Sequence, residues 1–156
     1  MTAMTKADEE FMQFALAEAE KAYGAKEVPI GAVLVFQNQI ISAAYNQVES
    51  LKDATAHAEM LCLKKGAEIL GNWRLLDCIL YCTLEPCLMC AGAMILSRVK
   101  TLVWGAPDLR HGAGGSLMDV FAMDHPIHRL EIRKGVLQQE SASLLKKFFQ
   151  EQRHVR

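Results

Sequence analysis

The chain has 156 residues, 51% of them apolar and 22% charged, which suits a globular chain with a sizeable core and excludes disorder. Its formal net charge of −1 gives no support to nucleic-acid binding, but the charge is unevenly spread: residues 1–59 carry net −5 and residues 125–156 net +4. No apolar run reaches the ~18 residues of a membrane span. The N-terminal stretch lacks the basic-then-apolar order of a signal peptide, so a cytoplasmic protein is expected.

In chain order, residues 5–23 predict an amphipathic helix. Thr5 and Asp8 are spaced as a capping box, and Phe11, Phe14, Ala15, Ala19 and Ala22 form its apolar stripe. Gly24 ends it. Residues 29–36 (PIGAVLVF) predict a strand, QNQ a turn, and residues 40–46 the hairpin partner. A polar loop runs to Ala54, and a helix follows over residues 58–70. The continuous apolar run CILYCTL, 78–84, reads as a strand buried on both faces and stopped by Pro86. Residues 87–97 predict a second helix and 101–105 another strand. A short helix near 117–122, a strand within RLEIRKGVL and a terminal helix complete the pattern. Helix, hairpin, then alternating helix and strand predict one α/β domain over 1–156, three-layered, with a mixed sheet of about five strands.

Five cysteines without a secretion signal point to metal or catalytic use rather than a disulfide framework. Cys87 and Cys90 stand three apart at a helix start, so their side chains share a face and suit tetrahedral zinc. The helix N-terminus favours thiolate. The same Cys-x-x-Cys is also the thioredoxin-like redox arrangement, and alone it leaves zinc, redox and a structural pair open.

The segment TAHAE, 55–59, repeats the loop-into-helix geometry. In an α/β sheet such helix starts gather at the carboxyl ends of parallel strands, where His57 could join Cys87 and Cys90 on one metal. Three ligands leave the fourth zinc position open, the catalytic pattern. Glu59, two residues on, would then be a proton carrier rather than a ligand.

His-Ala-Glu followed by Pro-Cys-Leu-Met-Cys resembles the signature of the zinc-dependent nucleobase deaminases, the cytidine/deoxycytidylate deaminase superfamily. The blocks EVPIGAVLV, TAHAE, LYCTLEPCLMCAGAM, SRV, GSLMDV and LLKKFF, in order from Glu27 to Phe149, are similar to the branch of bacterial tRNA-specific adenosine deaminases. The resemblance implies a three-layer α/β/α cytidine deaminase-like fold and hydrolysis of the wobble adenosine of a tRNA anticodon to inosine. It implies one catalytic zinc per subunit on His57, Cys87 and Cys90. Glu59 would carry protons while a zinc-activated water attacks C6 of adenine. It implies Asn46 as a hydrogen-bonding partner of the nucleoside, and Asp108 and Arg110 in a loop near the substrate backbone, where Asp108 could accept from a ribose 2′-hydroxyl. Phe149 and Arg153 would lie on a terminal helix facing the anticodon stem-loop, although Leu144, Leu145, Phe148 and Phe149 also read as a core stripe.

Where the family usually has Arg-Pro after the asparagine, this chain has Gln47-Val48, and Ala54 stands where a proline commonly precedes TAHAE. The glycines of 112–115 read as a flexible turn. The helix 87–97 is apolar all round, which suits burial on every side and fits the homodimer that the resemblance implies. Two other readings remain: a deaminase of a free nucleoside or nucleobase, and a non-catalytic zinc or redox thiol module.

Overall fold

Apolar strands buried on both faces set the architecture of the computed structural model, which describes residues 3–155. Helix α1 (Lys6–Gly24) precedes the hairpin β1 (Gly31–Phe36) and β2 (Gln39–Tyr45). Then come α2 (Val48–Leu51), α3 (Ala58–Leu70), β3 (Cys78–Leu84), α4 (Leu88–Leu96), β4 (Thr101–Ala106), β5 (Glu131–Lys134) and α5 (Gln138–Val155). The strands form one mixed sheet in the order β2-β1-β3-β4-β5. β1 runs antiparallel to both neighbours, while β3, β4 and β5 are mutually parallel.

Side chains alternate between two cores, as the strand period of two demands. Ala32, Leu34, Leu80, Cys82, Leu102 and Trp104 face α3 and α4. Val33, Val35, Tyr81 and Val103 face α1. The result is the three-layer α/β/α arrangement expected, with α1 and α5 on one side and α3 and α4 on the other.

The hairpin turn places Gln37 and Asn38 at φ 51° and 62°, the left-handed pair of a two-residue type I′ turn. The Thr5–Asp8 capping box is present at the start of α1. The stripe differs from expectation. Phe14 is exposed, and Met12 and Leu16 are buried with Ala15, Ala19 and Ala22. The reason lies at Gly31, where an added Cβ would stand 2.1 Å from the Ala15 carbonyl oxygen. Backbone rests on backbone there, so the alanine face turns inward and Phe14 turns out.

The short helix expected near 117–122 is absent. Its N–H groups bond back across the loop instead, Leu117 to the Gly112 carbonyl and Val120 to that of Ala113. Helix α4 buries Cys90, Ala91, Met94 and Ile95 against the domain and leaves Leu88 and Leu96 exposed on its outer side. Among the described residues, no helix is long and apolar enough to cross a membrane.

One buried polar cluster ties the chain ends to the sheet. Asp8, 1% exposed, accepts from the Tyr81 hydroxyl at 2.8 Å and pairs with the Arg133 guanidinium at 2.8 Å. Removing one partner leaves the other charge buried and unpaired. Asp8→Ala should therefore cost about 3–5 kcal/mol in urea unfolding, and the loss should be shared, not added, when Arg133→Met is combined with it.

Candidate active site

The mixed sheet brings the carboxyl ends of β2, β3 and β4 to one edge, because β1 is antiparallel to both its neighbours. Asn46 follows β2, Glu85 to Cys87 follow β3, and Pro107 and Asp108 follow β4. Helix α3 also begins at this edge. Ligands collect at such an edge in α/β folds.

His57 is the N-cap of α3 and Cys87 the N-cap of α4, both with extended backbone. Neither side chain caps its own helix. They turn toward each other instead. The His57 Nδ1 atom lies 3.6 Å from the Cys87 sulfur and 3.6 Å from the Cys90 sulfur, and the three ligand atoms lie within 4.8 Å of one another. A tetrahedral ion bonded at about 2.3 Å to sulfur and about 2.05 Å to nitrogen separates nitrogen from sulfur by about 3.6 Å. The donor set therefore fits zinc as it stands.

The charges agree with that fit. A hydrogen bond from Cys90, working against burial and helped by His57, holds the Cys87 thiol down at about 3. Cys90 moves the other way, because it donates to Cys87 and is buried. The His57 imidazole is raised, chiefly by its bond to Cys87. The site thus favours thiolate at Cys87, and binding of a divalent cation would displace the proton from Cys90. All five cysteines are free thiols.

Glu59 lies in the first turn of α3, 4% exposed. Burial raises its carboxyl above the ordinary range, partly offset by its own backbone N–H and by His57. A carboxyl that holds a proton more readily than usual suits proton transfer near neutral pH. It is not among the residues grouped around the possible metal position.

His57, Glu59 and Cys87 open onto a cavity of about 1090 Å³. All five residues expected at the substrate line it as well: Asn46, Asp108, Arg110, Phe149 and Arg153. Asn46 is buried and partly engaged: its amide donates to the Val28 carbonyl at 3.3 Å and its oxygen accepts from the Val48 N–H at 3.3 Å. One donor hydrogen remains for a ligand. Asp108 Oδ1 accepts from the N–H groups of Arg110 and His111, and Oδ2 stands 3.9 Å from the His111 Nδ1 atom at the cavity wall. Phe148 takes the core position on α5, while Phe149, 49% exposed, stands on the cavity wall. The core stripe thus stops one residue short of Phe149.

Two residues escaped the sequence reading as site components. Glu27, 1% exposed, accepts from Glu49 N–H at 2.9 Å and Ser50 N–H at 2.7 Å, and so caps α2 from outside, since Gln47 makes no cap. The loop that departs from the family pattern at Gln47-Val48 and Ala54 is ordered this way. Glu85 receives the loop after β4 in a similar manner. Glycines 112 and 114, read as a flexible turn, pack against that carboxylate instead. The only hint in the sequence is that both acids shortly precede a proline, in EVP and EP.

Comparison with known proteins agrees with this geometry. Residues 5–106 match the family described as the cytidine and deoxycytidylate deaminase zinc-binding region. The chain belongs to that deaminase family. Within it, the chain is 47% identical to the tRNA-specific adenosine deaminase of Bacillus subtilis over 146 residues, covering 94% of this chain and 91% of that protein. It is 49% identical to the chloroplastic tRNA(adenine(34)) deaminase of Arabidopsis thaliana, matching 92% of this chain but spanning only 12% of that much longer protein. A solved structure from a study of A-to-I editing by tRNA:A34 deaminases superposes with a TM-score of 0.83 at 41% identity, covering 86% of this chain and 98% of that one. A guanine deaminase from Nitrosomonas europaea superposes with a TM-score of 0.77 at 25% identity, covering 90% and 83%.

Burial pushes the Glu27 carboxyl up, but the N–H and hydroxyl of Ser50 and the N–H of Glu49 outweigh it and hold the group below 4.5. A depressed folded value stabilises the protein above the unfolded value and loses that contribution as pH falls through the folded one. Glu27→Gln should therefore be less stable than the parent by about 2 kcal/mol at pH 7. The gap in urea midpoint should close on acidification below about pH 4.

Proposed function

We propose that the chain hydrolyses adenosine to inosine at the wobble position of a tRNA anticodon, with one zinc ion per chain held by His57, Cys87 and Cys90. The observation that carries this reading is a buried, non-ligand carboxyl, Glu59, beside a His/Cys/Cys triad on the floor of a wide cavity. The relatives named tRNA-specific adenosine deaminases support the choice of substrate. Zinc, when bound, supplies a Lewis acid that makes water a nucleophile near neutral pH.

The protein's own residues then do the proton work. Glu59 takes a proton from the attacking water and delivers it to N1 of adenine as oxygen adds at C6. It next takes the proton of the new C6 hydroxyl and passes it to N6, which leaves as ammonia. Water and adenosine enter; inosine and ammonia leave. Asn46 orients the nucleoside through its free amide hydrogen. Asp108 accepts from a ribose 2′-hydroxyl, a group that distinguishes RNA from DNA. Arg110, Phe149 and Arg153, with the basic end of the chain, take the phosphates and bases of the anticodon stem-loop.

The cavity of about 1090 Å³ has room for a base with flanking nucleotides. We further propose that the working form is a homodimer joined through α4. Leu88 and Leu96 stand exposed there, and a Cβ at Gly92 would meet nothing within 4 Å, so another backbone could approach closely. A single deaminase domain in a reducing, cytoplasmic setting completes the reading, since the three-ligand site needs its thiols reduced.

Metal analysis should find about one zinc per chain, lost on Cys87→Ser. Glu59→Ala should keep the zinc and lose about 10²–10⁴-fold in turnover; loss of the metal as well would make Glu59 a ligand. Inosine should form in a tRNA with a wobble adenosine and not from free adenosine or cytidine, and the reverse preference would turn the reading to a nucleoside deaminase. In ultracentrifugation at micromolar concentration the chain should sediment as a dimer, and Leu96→Asp should shift it to monomer.

A further inference from the structure

Next to the turn that bears the cysteines stands a carboxylate that the proposed reaction does not use. Glu85 directly follows β3, two residues before Cys87, and is 2% exposed. Its Oε1 accepts from the Asp108 N–H at 3.1 Å and from the Ser116 hydroxyl. Its Oε2 accepts from the N–H groups of Gly114 at 2.9 Å and Ser116 at 3.1 Å. Every one of these donors belongs to the loop after β4. The same loop is joined to the cysteine turn by Ala113 N–H to the Pro86 carbonyl at 2.8 Å and by a bridge between Gly112 and Cys87. A Cβ on Gly112 would stand 2.3 Å from the Glu85 carboxylate, so loop backbone lies flush against the acid.

We propose that Glu85 is a positioning residue that fixes Asp108 relative to the metal-ligand turn and so sets where the backbone of the RNA rests. The inference rests on the proposed contact between Asp108 and the substrate. Backbone N–H groups can only donate, so the carboxylate alone satisfies all four bonds at once. A glutamine in its place has one accepting oxygen. Turned one way, its NH₂ opposes both N–H groups at the Oε2 position. Turned the other way, the Ser116 hydroxyl can reverse and accept, and only the Asp108 N–H loses its partner. Glu85→Gln is therefore a selective release of Asp108, with the bulk of the side chain kept.

The test uses full-length protein and an anticodon stem-loop RNA, with KM, kcat, zinc content and melting temperature measured for E85Q, D108A and the double variant. We expect E85Q to raise KM about tenfold, the loss of about one hydrogen bond to a charged group. Its kcat should stay within about threefold of the parent, and its zinc near one per chain. E85Q/D108A should have the KM of D108A, because the two changes remove one contact. Additive effects, or a fall in kcat or zinc without a rise in KM, would overturn the positioning role and leave Asp108 as a contact. An unchanged KM in D108A would overturn the Asp108 reading and this one with it. If E85Q does not fold, Ser116→Ala, which deletes a single bond to Oε1, decides: a rise of about two- to threefold in KM at constant kcat supports the role, and an unchanged KM overturns it.

Discussion

Two helices begin at the same edge of the sheet with N-cap side chains that face each other rather than their own helices. Everything at the site depends on that pairing. His57 and Cys87 are held by α3 and α4, which pack on one face of the sheet, so 3.6 Å between ring nitrogen and sulfur is a property of the scaffold. Uncapped N–H groups and the dipoles of both helices make the position between them attractive to thiolate. The hydrogen bonds from Cys90 and His57 lower the Cys87 thiol in the same direction. Glu59 rides on the first turn of the same helix as His57, so the carboxyl and the ring nitrogen move as a unit.

Around this rigid floor the walls are loops, and loops need another source of order. Two buried carboxylates supply it on opposite sides. Glu27 reaches the segment after β2 and Glu85 the segment after β4, each binding backbone N–H groups 22 or more residues away in sequence. Side chains on those segments remain free to vary, since the bonds are to main chain. This accounts for how the chain orders the Gln47-Val48 segment. The order there comes from Glu27, not from a fixed proline ring.

The His/Cys/Cys group was legible because its pattern is local: His-x-Glu and Cys-x-x-Cys each fit within one helical turn, and few other chemistries need both. The sheet was legible from strand alternation, and the continuous run 78–84 correctly marked the strand in the middle. The carboxylate anchors were not legible, because their partners are N–H groups that every non-proline residue owns. The face of α1 was ambiguous for a related reason. Phe11 and Phe14 fit a helical stripe as well as Met12 and Leu16 do, and the choice was made by a missing side chain on another element, Gly31. The segment 117–122 has apolar spacing that suits a helix, but its N–H groups are committed to carbonyls of the preceding glycine-rich stretch.

The Asp8–Arg133 pair spans 125 residues, and this separation has a consequence for synthesis. A chain emerging from the ribosome presents α1 first and β5 nearly last. Until β5 aligns beside β4, Asp8 has no guanidinium to meet, and closing so large a loop is entropically slow. The hairpin, β3 and α3 can assemble earlier from nearer partners. Helix α1 can therefore dock on β1 and β3 early, and only the late arrival of β5 closes the buried ion pair at its first turn.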